Sequence, residues 1–411
     1  MQKFDVVVVG GGPAGGYGAF LLAQKGYKVL LVEQHPNFTK NNFSSAATPL
    51  ETLSQFNLPS AVVAQYWRKL AVISTNEARS WTSDQPLGAV FDFAKLRAYL
   101  AESVEQQGGT VWLGHRYLKT VQEGEKTLVQ LKRSRGEVIT IAALVVVDAT
   151  GYARAVMYPQ KSDRPSFYKA TGIEYLITVD KQTHAQYAES LLFFLGYRWS
   201  PRGYSWIFPM DNYQLKVGSA WIDAEHQYLK TLKPLRDYTK ALITDYLQLD
   251  HYQLVEIHGS ILEYSSHLED TYYRDNLIAI GDAVSTVNFL GGEGIRHGMQ
   301  GAAIAVPYIE AYLQGKKTSF SGYEKAMKDY FGQKWHVSEV INRKVYLQYD
   351  DAKIDLGVAY LKYLSFDEAI DILFNYKFDK LYRGIYPFIL KKINKLAQSL
   401  KRWLVRTPRN D

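Results

Sequence analysis

A short apolar strand pattern that runs straight into a glycine segment constrains this chain more than any other feature. Residues 6–9 are four valines in a row, which is typical of a parallel strand buried on both faces. Residues 16–24 then have the composition of a helix. The glycine segment between them has the spacing G-x-G-x-x-G and comprises Gly10, Gly12, Pro13, Ala14 and Gly15. The sequence therefore predicts a strand, a tight glycine turn and a helix in immediate succession.

This turn has the chemistry of a dinucleotide site. Gly10 permits the tight turn, Gly12 lets the backbone approach a pyrophosphate, and Gly15 lets the helix pack on the strand. The next strand, at residues 28–32, ends at Glu33, where a carboxylate can accept hydrogen bonds from ribose hydroxyls. An acid at this place argues against a 2′-phosphate, so FAD and NAD both fit. A glycine-rich turn without a ligand is the less favoured alternative.

A second glycine segment follows a buried strand pattern far along the chain. Residues 276–280 have the pattern of a strand that stops at Gly281 and Asp282, and a carboxylate there can hold a ribityl hydroxyl. Further on come Gly291, Gly292, Glu293, Gly294 and Ile295, before a helix of small residues at 296–305. Backbone N–H groups at such a helix start attract a phosphate or the edge of a flavin ring. A third buried strand, at residues 144–147, ends in the tetrapeptide D-A-T-G.

In this order, the three segments resemble the FAD-dependent oxidoreductases of the para-hydroxybenzoate-hydroxylase superfamily. The resemblance implies FAD as the cofactor and an α/β fold, in which a Rossmann-like FAD-binding domain is interrupted by an antiparallel-sheet substrate domain and followed by a helical C-terminal region. The expected boundaries are residues 1–65, 91–165 and 268–330 for the FAD-binding domain, 66–90 and 166–267 for the substrate-binding domain, and 331–411 for the C-terminal domain. It also implies that both glycine segments, Glu33 and Asp282 hold the flavin.

Residues 201–209, P-R-G-Y-S-W-I-F-P, narrow the chemistry. Tyr204, Trp206 and Phe208 alternate, so a strand turns all three rings to one face, and Pro209 precedes a turn. From the pattern alone, packing in a sheet core is the favoured interpretation. The segment is similar, however, to the P-x-x-Y-x-W-x-F-P motif of the geranylgeranyl reductase family. That resemblance implies that these four residues contact a polyprenyl lipid whose double bonds are saturated, with a hydride from reduced flavin added to one carbon and a proton to the other.

The resemblance leaves the exact reaction and its reactants open. Relatives commonly carry a Cys-Gly-Gly where this chain has residues 42–49 without cysteine. A lycopene-cyclase-like isomerase, a monooxygenase or halogenase, and a flavoprotein subunit docking a membrane complex are therefore alternatives. Glu293 is a candidate proton donor, with a structural carboxylate as the equal alternative. No second nucleotide-binding unit is recognisable, so NAD(P)H and ferredoxin are both candidate electron donors.

The absence of cysteine excludes whole classes of site. It rules out disulfides, thiolate metal sites, iron–sulfur clusters and a cysteine nucleophile. The nine histidines show no metal-ligand spacing, so we expect no metal, and His297 is expected in the core or in solvent. The first residues lack the pattern of a signal peptide and no apolar run is long enough to span a bilayer, which predicts a cytoplasmic protein.

The C-terminal segment at residues 389–409 has a strongly basic helical pattern. Its apolar residues recur at spacings of three and four, and it carries seven lysines and arginines, while the whole chain has a net charge of +7. A basic amphipathic helix of this kind is typical of a membrane-surface element, so we expect peripheral membrane attachment. Packing on its own domain is the next alternative, and nucleic-acid binding is the least favoured.

Overall fold

The computed structural model describes residues 1–40, 42–134 and 136–380. Within them the strands are β1 Lys3–Val9, β2 Val29–Val32, β3 Ala47–Pro49, β4 Val63–Trp67, β5 Lys69–Ile73, β6 Ala78–Thr82, β7 Gly88–Phe91, β8 Thr110–Trp112, β9 His115–Glu123, β10 Lys126–Arg133, β11 Val138–Asp148, β12 Tyr168–Thr178, β13 Ser190–Gly196, β14 Ser200–Pro209, β15 Gln214–Ile222, β16 Gln253–Tyr264, β17 Tyr273–Arg274 and β18 Leu277–Ala279. The helices are α1 Pro13–Gln24, α2 Glu51–Gln55, α3 Phe93–Gln106, α4 Lys181–Tyr187, α5 Leu235–Ala241, α6 Ile295–Leu313, α7 Ser321–Arg343, α8 Asp351–Tyr360 and α9 Phe366–Leu373.

The valine run forms the centre of a largely parallel sheet. Its strands follow the order β17-β18-β11-β1-β2-β8, and β10 joins β11 to β9 at the side. β1 pairs in parallel with β11 and with β2, so Val6 lies beside Val145 and Val29. Val6, Val7 and Val8 are fully buried, because helices cover one face of the sheet and the β9–β10 hairpin with its neighbours packs against the other. The pattern of a two-face-buried strand is confirmed.

Small residues let α1 pack very closely against both α3 and α6. A β-carbon added at Gly16 of α1 would lie 2.9 Å from the Leu100 β-carbon of α3. One added at Gly298 of α6 would lie 3.3 Å from the Ala14 β-carbon of α1. The starts of α1 and α6 therefore lie side by side, which places the two glycine segments next to each other.

The chain leaves the parallel sheet twice to build a second sheet. Residues 69–82 and 168–264 supply its strands in the order β16-β12-β15-β14-β13-β5-β6, and all neighbours are antiparallel except β13 with β5. β3, β7 and β4 form a third, smaller sheet in the order β3-β7-β4. This is the α/β fold that the sequence predicts, with an antiparallel sheet inserted into a Rossmann-like one.

The helices after residue 320 join the two sheets. α7 is continuous through residue 330, where a domain boundary was expected, because its buried Tyr323, Phe331 and Trp335 pack into the core of the parallel sheet. α8 and α9 lie instead over the antiparallel sheet, where Val358 and Ile372 join the cluster of Trp206 and Phe208. In the described ranges, no helix is long and apolar enough to cross a membrane. The basic segment at 389–409 lies outside the described residues.

Candidate active site

The first glycine segment forms a turn with no room for side chains. A β-carbon at Gly15 would lie 2.0 Å from the carbonyl oxygen of Gly10, and one at Gly10 would lie 2.3 Å from that of Ala149. Gly12, by contrast, faces open space within 4 Å of its β-carbon position. Gly12 is the N-cap of α1, Pro13 is its first residue, and no side chain caps this end. Its free N–H groups and open surface form a helix start at which an anion such as a pyrophosphate can bind.

Glu33 at the end of β2 is held in place by two backbone donors. Its Oε2 accepts a hydrogen bond from Gly11 N at 2.9 Å, and its Oε1 accepts one from His35 N at 2.9 Å. The side chain is buried beside the glycine turn. Because a carboxylate oxygen accepts more than one hydrogen bond, the fixed carboxylate keeps capacity for ribose hydroxyls.

The turn at Gly281 and Asp282 brings a further carboxylate to the start of α1. Gly281 adopts a left-handed conformation with φ +65°, and a β-carbon there would lie 2.7 Å from that of Ala14. The Asp282 carboxylate, on a half-buried residue, lies 3.4 Å from the β-carbon position of Gly294. Burial raises the pKa of Asp282, and the nearby Arg154 guanidinium partly offsets this. These residues fit FAD: a bare helix start for the pyrophosphate, Glu33 for the ribose, and Asp282 for the ribityl chain.

An apolar cavity of about 330 Å³ begins at residues 291–294, the later part of the second glycine segment. It extends from that segment between the antiparallel sheet and the C-terminal helices. Its wall includes Ser44, Thr48, Phe193, Tyr204, Phe208, Gly291, Gly292, Glu293, Gly294, Ile295, Tyr346, Ile354, Gly357, Val358, Ile372, Phe374 and Tyr376. A cavity with this lining suits a long hydrocarbon chain.

The aromatic motif on β14 is divided between the cavity wall and the layer behind it. Tyr204, Trp206 and Phe208 lie on one face, as the alternation predicts, with adjacent ring centroids 5.6 and 6.5 Å apart. Only Tyr204 and Phe208 line the cavity. Trp206 packs over Gly218, and its Nε1 donates to Glu174 Oε2 at 2.9 Å. Pro209 continues the strand opposite Leu215 and does not reach the cavity wall.

Two tyrosine hydroxyls tie the second glycine segment to its surroundings. Tyr204 donates to Gly291 O at 2.7 Å, and Tyr346, just after α7, donates to Leu290 O at 2.9 Å. Burial raises the pKa of both phenols, so both are neutral donors. The glycine segment is thereby fixed between the antiparallel sheet and the C-terminal helices.

Glu293 is the centre of a buried charged network. Its Oε1 accepts from Arg296 Nε at 2.8 Å, and its Oε2 accepts from Arg296 Nη2 at 3.0 Å, from His297 Nε2 at 3.1 Å and from the Tyr376 hydroxyl at 2.9 Å. Burial raises the pKa of Glu293, but charge and hydrogen bonds from His297 and Arg296 outweigh it and lower the pKa to about 2. Because burial also lowers the pKa of His297, Arg296 is the partner that is charged at neutral pH. An ionised, fully bonded Glu293 argues against the proton-donor role and favours the structural one.

Sequence reasoning missed several residues of this site. Arg296 and His297 lie three and four residues after Glu293, the helical spacing at which side chains meet, so that pairing was readable. His297 lies in the core against Trp335 and Tyr376, one of the two expected places. Tyr376 follows α9 and has no local signal that connects it to Glu293.

A buried lysine lies on the same sheet face as the aromatic motif. Lys216 on β15 is opposite Phe208, and its Nζ donates to Ser44 O at 2.5 Å. Burial lowers the pKa of Lys216 and raises that of Glu174, and each group partly offsets the shift of the other. In the sequence, a lysine within an otherwise apolar strand pattern was the only sign that Lys216 is buried and bonded. Lys216 thereby fastens the loop at 42–46, which borders the cavity, to the antiparallel sheet.

Known proteins share both the fold and the sequence pattern. Residues 5–158 match the FAD dependent oxidoreductase family. The chain is 30% identical over 354 residues to the digeranylgeranylglycerophospholipid reductase of Haloferax volcanii, covering 82% of each chain. It is 25% identical over 342 residues to the chloroplastic geranylgeranyl diphosphate reductase of Arabidopsis thaliana, covering 77% of this chain and 68% of that protein.

Solved structures agree in fold. A geranylgeranyl bacteriochlorophyll reductase-like protein from Thermoplasma acidophilum superposes with a TM-score of 0.81 at 20% identity, over 96% of this chain and 100% of that one. The flavin-dependent brominase Bmp2 superposes with a TM-score of 0.71 at 14% identity, over 96% and 100% of the two chains, so the fold alone does not select the reaction. On the similarity to the Haloferax reductase, which extends over four fifths of both sequences, this chain belongs to the geranylgeranyl reductase family of FAD-dependent oxidoreductases.

Proposed function

We propose that the protein is an FAD-dependent reductase that saturates double bonds of a polyprenyl lipid. The observation that carries the proposal is the apolar cavity, which ends on the glycine segment where a flavin ring is expected. Relatives named for the reduction of geranylgeranyl lipids support it. A reduced flavin bound there supplies a hydride to one carbon of the double bond.

The chain's own residues bind the lipid and exclude water. Each lipid methylene that leaves water contributes about 0.8 kcal/mol, so a long chain binds through length more than through polar contacts. Tyr204 and Phe208 provide the part of the cavity's aromatic wall that comes from β14, while Trp206 and Pro209 lie behind it within the sheet. A dry site also limits side reactions of reduced cofactor with solvent.

The cofactor roles follow the geometry of the two glycine segments. The start of α1, at Gly12 to Gly15, would hold the pyrophosphate, and Glu33 would accept from the ribose. Asp282 would accept from the ribityl chain, and Gly291 to Gly294 would border the ring. The backbone of these glycines can approach a planar ring closely because it carries no side chains.

Two parts of the proposal reach beyond the described site. Peripheral membrane attachment through residues 389–409 would place the enzyme at the source of a water-insoluble lipid, and anionic vesicles with and without this segment test it. The electron donor is NAD(P)H or ferredoxin, and reduction of the bound flavin by each one decides between them. Nucleic-acid binding has no support among the described residues.

The decisive experiment on the reaction is anaerobic. The bound flavin is reduced, geranylgeranyl diphosphate is added, and flavin reoxidation is followed by absorbance while the lipid is extracted for mass analysis. A reductase yields oxidised flavin and a lipid that gained two hydrogens per double bond. An isomerised lipid of unchanged mass would indicate a cyclase instead, and reoxidation only after oxygen is admitted would indicate a monooxygenase or halogenase.

A further inference from the structure

A second cavity lies directly behind the glycine-segment end of the apolar one. Its volume is about 320 Å³, and polar side chains including Glu51, Gln55, Gln300 and Lys334 line it. Arg296, Phe374 and Tyr376 line both cavities. These three residues therefore form a wall one side chain thick between a polar compartment and the lipid cavity.

The proposed reaction needs a proton inside an apolar cavity, and the wall offers one route. Among the described residues, three tyrosine hydroxyls contact residues 290–293. Those of Tyr204 and Tyr346 donate to backbone carbonyls, which cannot pass a proton on. The hydroxyl of Tyr376 contacts Glu293 Oε2 at 2.9 Å and lies 3.4 Å from His297 Nε2. Since His297 also lines the polar cavity, Tyr376 alone among these three tyrosines is connected to that compartment by a titratable side chain.

Tyr376 is also held in an unusual conformation. Its φ is +55°, a left-handed backbone that costs free energy for a residue with a large side chain. Its ring packs against His297 and Trp335, with centroids 5.4 and 5.3 Å away. The hydroxyl lies 3.9 Å from the β-carbon position of Gly291, at the start of the glycine segment. The packing thus holds the hydroxyl at the cavity end where the double bond must react.

We propose that Tyr376 donates the proton that completes double-bond reduction and regains it from the polar cavity through His297. This inference rests on the proposed function. The reduced flavin supplies the electron pair as a hydride to one alkene carbon. At the other carbon a C–H bond forms while the O–H bond of Tyr376 breaks. The phenolate then takes the Nε2 proton of His297 while Nδ1 of the same ring takes a proton from water in the polar cavity, which leaves hydroxide to the solvent.

The surrounding charges suit these roles. Burial raises the pKa of Tyr376, and the Glu293 carboxylate raises it further, so the hydroxyl keeps its proton until a strong base forms beside it. Burial lowers the pKa of His297, which leaves a neutral ring that can release one proton and accept another. Glu293 stays ionised between them and acts as a positioning residue, because it orients both donors.

The test compares Tyr376→Phe with Tyr272→Phe. Both substitutions keep a buried ring and remove a hydroxyl. The Tyr272 hydroxyl bonds to Leu268 O, and Tyr272 lines neither cavity. In anaerobic single turnovers with geranylgeranyl diphosphate, we expect Tyr376→Phe to reoxidise its flavin about 100-fold more slowly. Lipid affinity should stay within about two-fold, since no apolar contact is lost. The Tyr272 variant should match the wild type in both.

A second readout does not depend on turnover. In the FAD-loaded, lipid-free enzyme, NMR titration of the His297 ring, assigned with His297→Gln, should give a midpoint that shifts in Tyr376→Phe and stays unchanged in Tyr272→Phe. His297→Gln should slow steady-state turnover more than the first turnover, because the first proton is already on Tyr376. That variant also keeps the test open if Tyr376→Phe fails to fold.

The outcomes separate this inference from the proposed function. Wild-type rates in Tyr376→Phe, or an unshifted His297 midpoint, would overturn the relay while leaving the reductase intact. A wild-type enzyme that never reduces the lipid would instead remove the reductase, and the donor role falls with it. A shifted midpoint in that inert enzyme would show that the side-chain contact exists without the reaction.

Discussion

The flavin-facing region and the lipid-facing region of this molecule are built on opposite plans. Around the parallel sheet, the site is backbone with two carboxylates, Glu33 and Asp282: β-carbons added at Gly10 or Gly15 would overlap carbonyl oxygens at 2.3 and 2.0 Å. Around the apolar cavity, the site consists of side chains from β14, from the end of α7 and from α8 and α9. A nucleotide needs fixed N–H groups, which a local glycine turn provides, whereas a lipid needs volume and apolar area, which only distant segments together enclose.

The largest expected effect is at Gly15. In Gly15→Ala the new methyl overlaps the Gly10 carbonyl, so the turn must open and we expect FAD affinity to fall about 100-fold or more. Flavin fluorescence titration measures it. Gly332→Ala is the matched control, because its position on α7 has open space; it should bind FAD as the wild type does and gain up to about 1 kcal/mol of helix stability. Equal FAD affinity in Gly15→Ala and Gly332→Ala would contradict the claim that the glycine turn has no room for a side chain.

The next effect concerns the network where the two regions meet. Because the pKa of Glu293 is about 2 in the folded protein and about 4.5 in the unfolded chain, its ionisation stabilises the fold above pH 4.5. That stability is lost as the pH falls toward 2 and amounts to about 3 kcal/mol. Chemical unfolding between pH 5 and 2 should therefore show a steeper loss in the wild type than in Glu293→Gln.

Glu310→Gln serves as the control for this measurement. Glu310 pairs with Lys25 in a partly exposed ion pair, which contributes little to stability. Its variant should follow the wild-type acid dependence. Parallel curves for the wild type and Glu293→Gln would contradict the buried network.

The smallest effect sharpens the lipid side of the comparison. Gly357 of α8 lines the cavity, and its β-carbon position is open, so Gly357→Phe places a ring in the lipid space without a backbone clash. We expect about ten-fold weaker binding of geranylgeranyl diphosphate and unchanged FAD affinity. Ala352→Phe, at an exposed position of the same helix outside the cavity wall, should change neither. A loss of FAD in Gly357→Phe would mean that the two regions are not separable.

The same contrast explains what the sequence could predict. The valine strand, the glycine turn and Glu33 are contiguous or evenly spaced, so their chemistry is readable from local pattern. α6 extends beyond the small residues at 296–305 and through Pro307, because Val306 and Ile309 continue its buried face. α1 begins at Pro13, three residues before the expected start, since proline is favoured in the first turn of a helix.

The cavity was only partly predictable. The alternation at residues 204–208 predicts one face, but it cannot tell that Trp206 lies behind the wall and bonds Glu174. That division depends on Gly218 across the strand pair, which leaves room for the indole. Tyr376 meets Glu293 from 83 residues away, and no periodicity records such a contact. Contacts between residues far apart in the sequence, which only the tertiary fold brings together, could not be predicted from local patterns.

The measurement that tests the central claim most directly is a crystal structure of the FAD-loaded protein with a geranylgeranyl lipid bound. We predict the flavin ring beside residues 291–294 and the lipid chain between Tyr204, Phe208 and α8, with a double bond next to the Tyr376 hydroxyl. A lipid bound outside this cavity, or a cavity filled by ordered water while the lipid occupies another surface, would contradict the assignment of the cavity as the substrate site.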